Sequence, residues 1–158
     1  MADMIVSLQS LPERVVLPQG YSVSVAKPYD RTVVVDWVRE HFSEKWASEV
    51  ACGFGHHPYK VLIARQGETM LGFACFDVTF PAFFGPTGVS EQARGLGLGK
   101  ALLIDCLWAL KAQGYVYGFI GDAGPVDFYR KTVGAVALPD DLVSGYEPPL
   151  AASGLPIK

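Results

Sequence analysis

The stretch VSEQARGLGLGKALL, Val89 to Leu103, decides how the chain is read. Gly95, Gly97 and Gly99 alternate with leucines and stop at Lys100. A helical pattern then begins, with Leu102, Leu103, Cys106, Ala109 and Leu110 on one arc and Lys100 and Lys111 opposite. Ahead of the glycines, Phe83 to Val89 reads as a strand, and Gly85, Pro86 and Gly88 inside it predict a bulge. A strand, a glycine turn and a helix in that order leave unpaired backbone N–H groups at the helix start, where phosphate oxygens are attracted. The same glycines also suit a plain tight turn between strand and helix, so the spacing has to be tested against known phosphate loops. A Walker A loop requires glycine where Arg94 stands and Ser or Thr where Ala101 stands, and both positions fail. A dinucleotide fingerprint after Gly95 and Gly97 requires glycine at Lys100, and it fails as well. The pattern R-x-x-G-x-G is met by Arg94, Gly97 and Gly99.

Working outward, Ser22, Val23, Ser24 and Val25 alternate as a half-buried strand over Tyr21 to Ala26, the first strand of this reading, which Pro28 ends. Asp30 and Ser43 can each cap a short helix, one carrying Val34, Trp37, Val38 and His41, the other Trp46 and Val50. Tyr59 to Arg65 and Met70 to Phe76 flank Gln66-Gly67-Glu68-Thr69 as an antiparallel hairpin. Beyond Gly114, Tyr115 to Ile120 reads as a strand, Gly124-Pro125 opens a helix through Thr132, and Ala135 to Leu138 reads as a short last strand. Pro139 to Lys158 shows no period and reads as an irregular tail.

Composition bounds the function. Half of the 158 residues are hydrophobic and 18% are charged, which excludes a disordered chain. With 13 Lys and Arg against 16 Asp and Glu, no positive field exists to hold a nucleic-acid backbone. Cys52, Cys75 and Cys106 are odd in number and form no Cys-x-x-Cys pair, which points to reduced thiols and a cytoplasmic location. The adjacent His56 and His57 have no further ligand at metal-binding spacing, so no metal is expected. Neither a secretory leader nor a membrane-spanning run is read, so no membrane partner is expected.

Two segments carry a family resemblance. Val89 to Leu103 resembles the acyl-CoA-binding motif of the GNAT superfamily of N-acyltransferases. Asp127-Phe128-Tyr129-Arg130-Lys131, followed by Gly134, is similar to its F-Y-x-x-x-G segment, with one residue inserted before the glycine. The order of elements from Tyr21 to about Leu138 is similar too. The resemblance implies an α/β (α+β) fold, a mixed, mostly antiparallel central sheet flanked by helices, over residues 1–138. The tail at 139–158 is left over, and Leu142 to Tyr146, or a second copy in a homodimer, could supply the seventh strand usual in the fold.

By the same resemblance, Arg94, Gly95, Leu96, Gly97, Leu98, Gly99 and Lys100 line the CoA diphosphate. The amide of Val89 meets the pantetheine arm, the amide of Thr87 faces the thioester carbonyl, and Tyr129 is the general acid that protonates the departing thiolate. An amine nucleophile also needs a base. Phe83 to Val89 contains no carboxylate, which leaves Asp77 as the nearest candidate and Asp122 as the second. If two of Trp37, Phe42, Trp46, Phe54, Phe80, Phe83 and Phe84 face the cleft, the acceptor has an apolar portion. The implied activity moves an acetyl group from acetyl-CoA to a primary amine of a small molecule by direct attack. The alternatives are a non-catalytic acyl-CoA sensor and an enzyme acylating a protein N-terminus or lysine.

Overall fold

The computed structural model describes residues 2–151, so Met1 and the end of the expected tail, residues 152–158, lie outside it. Its elements are β1 (Ala2–Ser7), β2 (Tyr21–Val25), α1 (Arg31–His41), α2 (Glu44–Gly53), β3 (Val61–Gln66), β4 (Thr69–Phe76), β5 (Phe83–Val89), α3 (Leu98–Ala112), β6 (Tyr117–Ala123), α4 (Val126–Val133) and β7 (Val136–Ala137). The strands form a seven-stranded sheet in the order β2-β3-β4-β5-β6-β1-β7. Only β5 and β6 pair in parallel; every other neighbouring pair is antiparallel.

Side-chain alternation sorts the strand residues into two cores, because successive residues of a strand face opposite sides. Leu62, Ala64, Ala74 and Phe76 pack with the buried stripe of α3 and with Tyr129 and Val133 of α4. Val61, Ile63, Phe73 and Cys75 pack on the other face with Val34, Val38, Ala47 and Val50 of α1 and α2. Ser43 caps α2, its hydroxyl accepting from the Trp46 amide at 3.1 Å. Asp30 precedes α1 without a side-chain cap, because a 3-10 turn over Pro28–Asp30 leads into the helix instead. No helix among the described residues is long and apolar enough to cross a membrane.

Two further expectations change. Tyr21 to Ala26 is not the first strand: Ala2–Ser7 precedes it and lies between β6 and β7, with Met4, Val6 and the following Leu8 fully buried. Leu142 to Tyr146 forms no strand, because the place expected of it is taken by β1. The tail instead folds back so that Tyr146 packs edge-on against Phe80 and Phe83, with ring centroids 5.1 and 6.1 Å apart.

Candidate active site

The glycines and proline of β5 break its ladder. Opposite Ala74 to Phe76 the register slips, and two residues of β5, Gly85 and Pro86, stand against the single Cys75. On its other side β5 meets β6 only at Phe83↔Phe119 and Phe84↔Ile120. Beyond Phe84 the two parallel strands separate and open a slot in the sheet. The Ser90 amide donates to the Leu71 carbonyl at 2.8 Å. Antiparallel pairs alternate between bonded and non-bonded, so the Gly88 amide also faces β4, and the amides of Thr87 and Val89 face the slot.

The end of the slot leads to the start of α3. Gly95 and Gly97 take the left-handed conformation, with φ of 85° and 83°, and Gly97 stands as the N-cap without any side-chain cap. The first bond into the helix is from the Ala101 amide to the Gly97 carbonyl at 3.0 Å. Among the described residues, none of the amides from Gly95 to Lys100 donates to a protein acceptor. A Cβ on Gly95 would meet nothing within 4 Å, and one on Gly97 only Val15, at 3.9 Å. The turn is therefore open among the described residues. Leu98 is buried and offers only its amide, whereas Arg94 and Lys100 are exposed and unpaired among the described residues. Uncapped amides, the positive end of α3 and two free cations fit a diphosphate.

A cleft of about 430 Å³ runs from the bulge of β5 to the first turn of α3. It is lined by Thr87 and Val89 of β5, Gly99 and Leu103 of α3, Ile120 to Ala123 of β6, and Phe128 and Tyr129 of α4. Tyr129 is 6% exposed, lies edge-on to Phe84, and its hydroxyl has no hydrogen-bond partner among the described residues. Burial pushes its phenol up to about 12. Of the aromatics singled out in the sequence, Trp46 and Phe84 line the cleft. Phe42 and Trp37 pack with Phe73, and Phe54 packs against Tyr59. Arg130, on the outside of α4, pairs with Asp127 at 2.7 Å.

Asp77 does not reach the cleft. One of its carboxylate oxygens takes the Lys60 ammonium at 2.5 Å, and the other accepts from the Ala82 amide at 2.7 Å and the Tyr115 hydroxyl at 3.0 Å. Burial alone would raise this carboxyl, but the hydrogen bonds from Lys60, Ala82 and Tyr115 and the Lys60 charge outweigh it and hold the group below its ordinary value. A carboxylate with its oxygens so engaged is a poor base, and its place is structural. Asp77→Asn breaks a pair whose side chains are 19% and 7% exposed. It should cost about 3 kcal/mol, a fall in Tm on the order of 10 °C. Turnover measured well below that Tm should stay within about twofold, since the change stabilises no reacting charge. A collapsed turnover with an unchanged melting curve would return Asp77 to the chemistry.

Asp122 does line the cleft, is exposed, and its backbone amide donates to the Asp3 carboxylate at 2.8 Å. Two further residues, given no site role by the sequence, stand at the same end: Glu49 of α2 and Tyr146 of the tail. The Tyr146 ring lies so close over Gly121 that a Cβ there would overlap it.

The acetyltransferase (GNAT) family model matches residues 24–135. No curated protein sequence matches the chain. Among solved structures, a GCN5-related N-acetyltransferase from Sphaerobacter thermophilus superposes with a TM-score of 0.70 at 21% identity, over 87% of this chain and 48% of that one. A GNAT-family acetyltransferase from Colwellia psychrerythraea gives 0.64 at 13% identity, over 87% and 53%. A GNAT-family N-acetyltransferase (YhbS) from Escherichia coli, in complex with CoA, gives 0.51 at 22% identity, over 65% and 63%. The chain thus spans about half the length of the first two of these structures. It belongs to the GNAT acetyltransferase family, whose acyl donor is acetyl-CoA.

Proposed function

We propose that the chain transfers an acetyl group from acetyl-CoA to the primary amine of a small molecule by direct attack. The observation that carries this reading is one cleft lined by the bulged stretch of β5, the first turn of α3 and Tyr129, with the open, uncapped start of α3 at its end. Bound acetyl-CoA supplies an activated acetyl carbonyl and a sulfur leaving group. Arg94, Lys100 and the amides of Gly95, Leu96, Gly97, Leu98 and Gly99 hold its diphosphate, where glycines let the backbone approach closely. The Val89 amide holds the pantetheine arm as an added strand would be held. The Thr87 amide donates to the carbonyl oxygen as it gains negative charge, an effect worth ~3 kcal/mol for a well-placed donor.

Tyr129 gives its proton to the departing sulfur. Its raised value keeps it protonated at neutral pH, and the desolvation that raises the phenol also raises a thiol beside it, so the proton transfer stays matched. Cys75 and Cys106, pushed up by burial, stay out of the chemistry as neutral thiols. The tail crossing at Gly121 narrows the acceptor end, which supports a small acceptor over a protein chain.

The test pairs a calorimetric titration with acetyl-CoA and a thiol-release assay across primary amines. Binding together with amine-dependent thiol release is the expected result. Binding with no thiol release would make the protein an acyl-CoA sensor, and release only with peptides would move the acceptor to protein.

A further inference from the structure

We propose that Glu49 of α2 takes the proton of the incoming amine, in a pocket that the C-terminal tail closes with Tyr146. The inference rests on the acetyl-transfer reading above and supplies the base that reading lacks. An alkylammonium cannot attack until it loses a proton, and β5 carries no carboxylate to receive it.

A smaller cavity of about 80 Å³ is lined by Lys45, Trp46, Glu49, Gly85, Pro86, Gly121, Asp122 and Tyr146. It shares Trp46, Gly85, Pro86, Gly121 and Asp122 with the main cleft, so the two are continuous. Gly85 and Pro86 immediately precede Thr87, whose amide faces the slot, so the cavity opens beside the place of the thioester carbonyl. Tyr129 belongs to the core on the α3 side of the sheet, and Trp46 to the core on the α1 and α2 side. Donor and acceptor therefore reach the slot from opposite faces of the sheet.

Glu49 is suited to the role by how it is held. The Thr79 hydroxyl donates to its Oε2. Among the described residues no cation lies within 4.0 Å of it. One oxygen is thus fixed, the other is free, and the charge is not cancelled. Lys45, one helical turn earlier, places its ammonium over the Tyr146 ring instead, 5.6 Å from the centroid. The Tyr146 hydroxyl is pushed up by burial and by the charges of Glu49, Asp3 and Asp122. Asp122 is exposed and free to be solvated, whereas Glu49 is half-buried and anchored.

The cavity holds roughly two or three groups the size of a water molecule. It thus admits an ammonium and the first carbons of its stem, between the rings of Trp46 and Tyr146. The class of acceptor is a compact primary alkylammonium. The ammonium gives one proton to Glu49, and the freed lone pair forms the C–N bond. The C–S bond breaks with its electron pair going to sulfur, and Tyr129 protonates that sulfur. A second proton leaves nitrogen through water to the Tyr129 phenolate, and Glu49 releases its own to solvent, one proton per turnover.

The test uses the full chain with 1,4-diaminobutane, glucosamine and tyramine as probe amines. Glu49→Gln keeps the acceptor oxygen for Thr79 and removes only the basic group. It should lower kcat/KM for the amine about 100-fold, with acetyl-CoA affinity by calorimetry unchanged. Its residual rate should climb with pH as solution deprotonates the amine, a recovery that a merely structural role would not give. Tyr146→Ala should raise KM for the amine and leave acetyl-CoA affinity unchanged. Wild-type rate and pH profile in Glu49→Gln, loss of acetyl-CoA binding in that variant, or a comparable loss in Asp122→Asn alone would each overturn the assignment. A wild-type protein that binds acetyl-CoA but acylates none of the three amines would overturn the transfer reading itself, and the assignment with it.

Discussion

Tyr129→Phe should lower turnover about 100-fold while acetyl-CoA binds as before. Removing a positioned general acid typically costs 10²–10⁴-fold, and Phe keeps the ring packed edge-on to Phe84. The measurement is a thiol-release rate set beside a calorimetric titration of the same preparation, and equal turnover in the two proteins would remove Tyr129 as the acid. A second readout follows from burial. The phenol titrates at about 12 in the folded protein and at about 10 unfolded. The folded state therefore binds the proton more tightly, and the contribution to stability is full below pH about 10 and lost as pH rises toward about 12. Unfolding free energy should fall more steeply across that window in the wild type than in Tyr129→Phe. Activity below pH about 10 should show no alkaline limb caused by Tyr129, since the phenol is still protonated there.

Gly97→Glu should weaken acetyl-CoA binding at least 100-fold. The residue caps α3 with φ of 83°, where a side chain adds roughly 1–2 kcal/mol of backbone strain. The new carboxylate would stand among the uncapped amides proposed to hold the diphosphate. Gly97→Ala separates the two effects: the space around a Cβ is open, with Val15 at 3.9 Å, so this variant carries the strain without the charge and should lose far less affinity. Calorimetric titration of both variants decides the matter. Unchanged binding in Gly97→Glu would place the diphosphate elsewhere.

The parts of the site that could be read from sequence are contiguous. Arg94 to Lys100 combines turn, helix start and cations in seven residues, and the open turn it forms depends on nothing distant. The bulge of β5 was legible for the same reason, since Gly85, Pro86 and Gly88 disrupt a ladder wherever it lies. What escaped depends on partners far along the chain. Asp77 ends a strand near the cleft in topology, but its charge is taken by Lys60 and Tyr115, 17 and 38 positions away. Glu49 and Tyr146 meet only because the tail folds back over Gly121. β1 hides because Met4, Ile5 and Val6 are apolar in succession, which masks in the sequence the alternation the fold shows, with Met4 and Val6 buried and Ile5 half-buried. It also precedes the 24–135 segment that the family model matches.

The position of β1 bears on how the protein is handled at the bench. Ala2 pairs with Ala123, and Asp3 holds the amide of Asp122, so a fusion at the N-terminus is joined beside the strand end that carries Asp122, a residue lining the proposed amine pocket. A purification handle on that side should disturb acceptor kinetics while donor affinity stays as it was, and assays of amine preference belong with the handle cleaved.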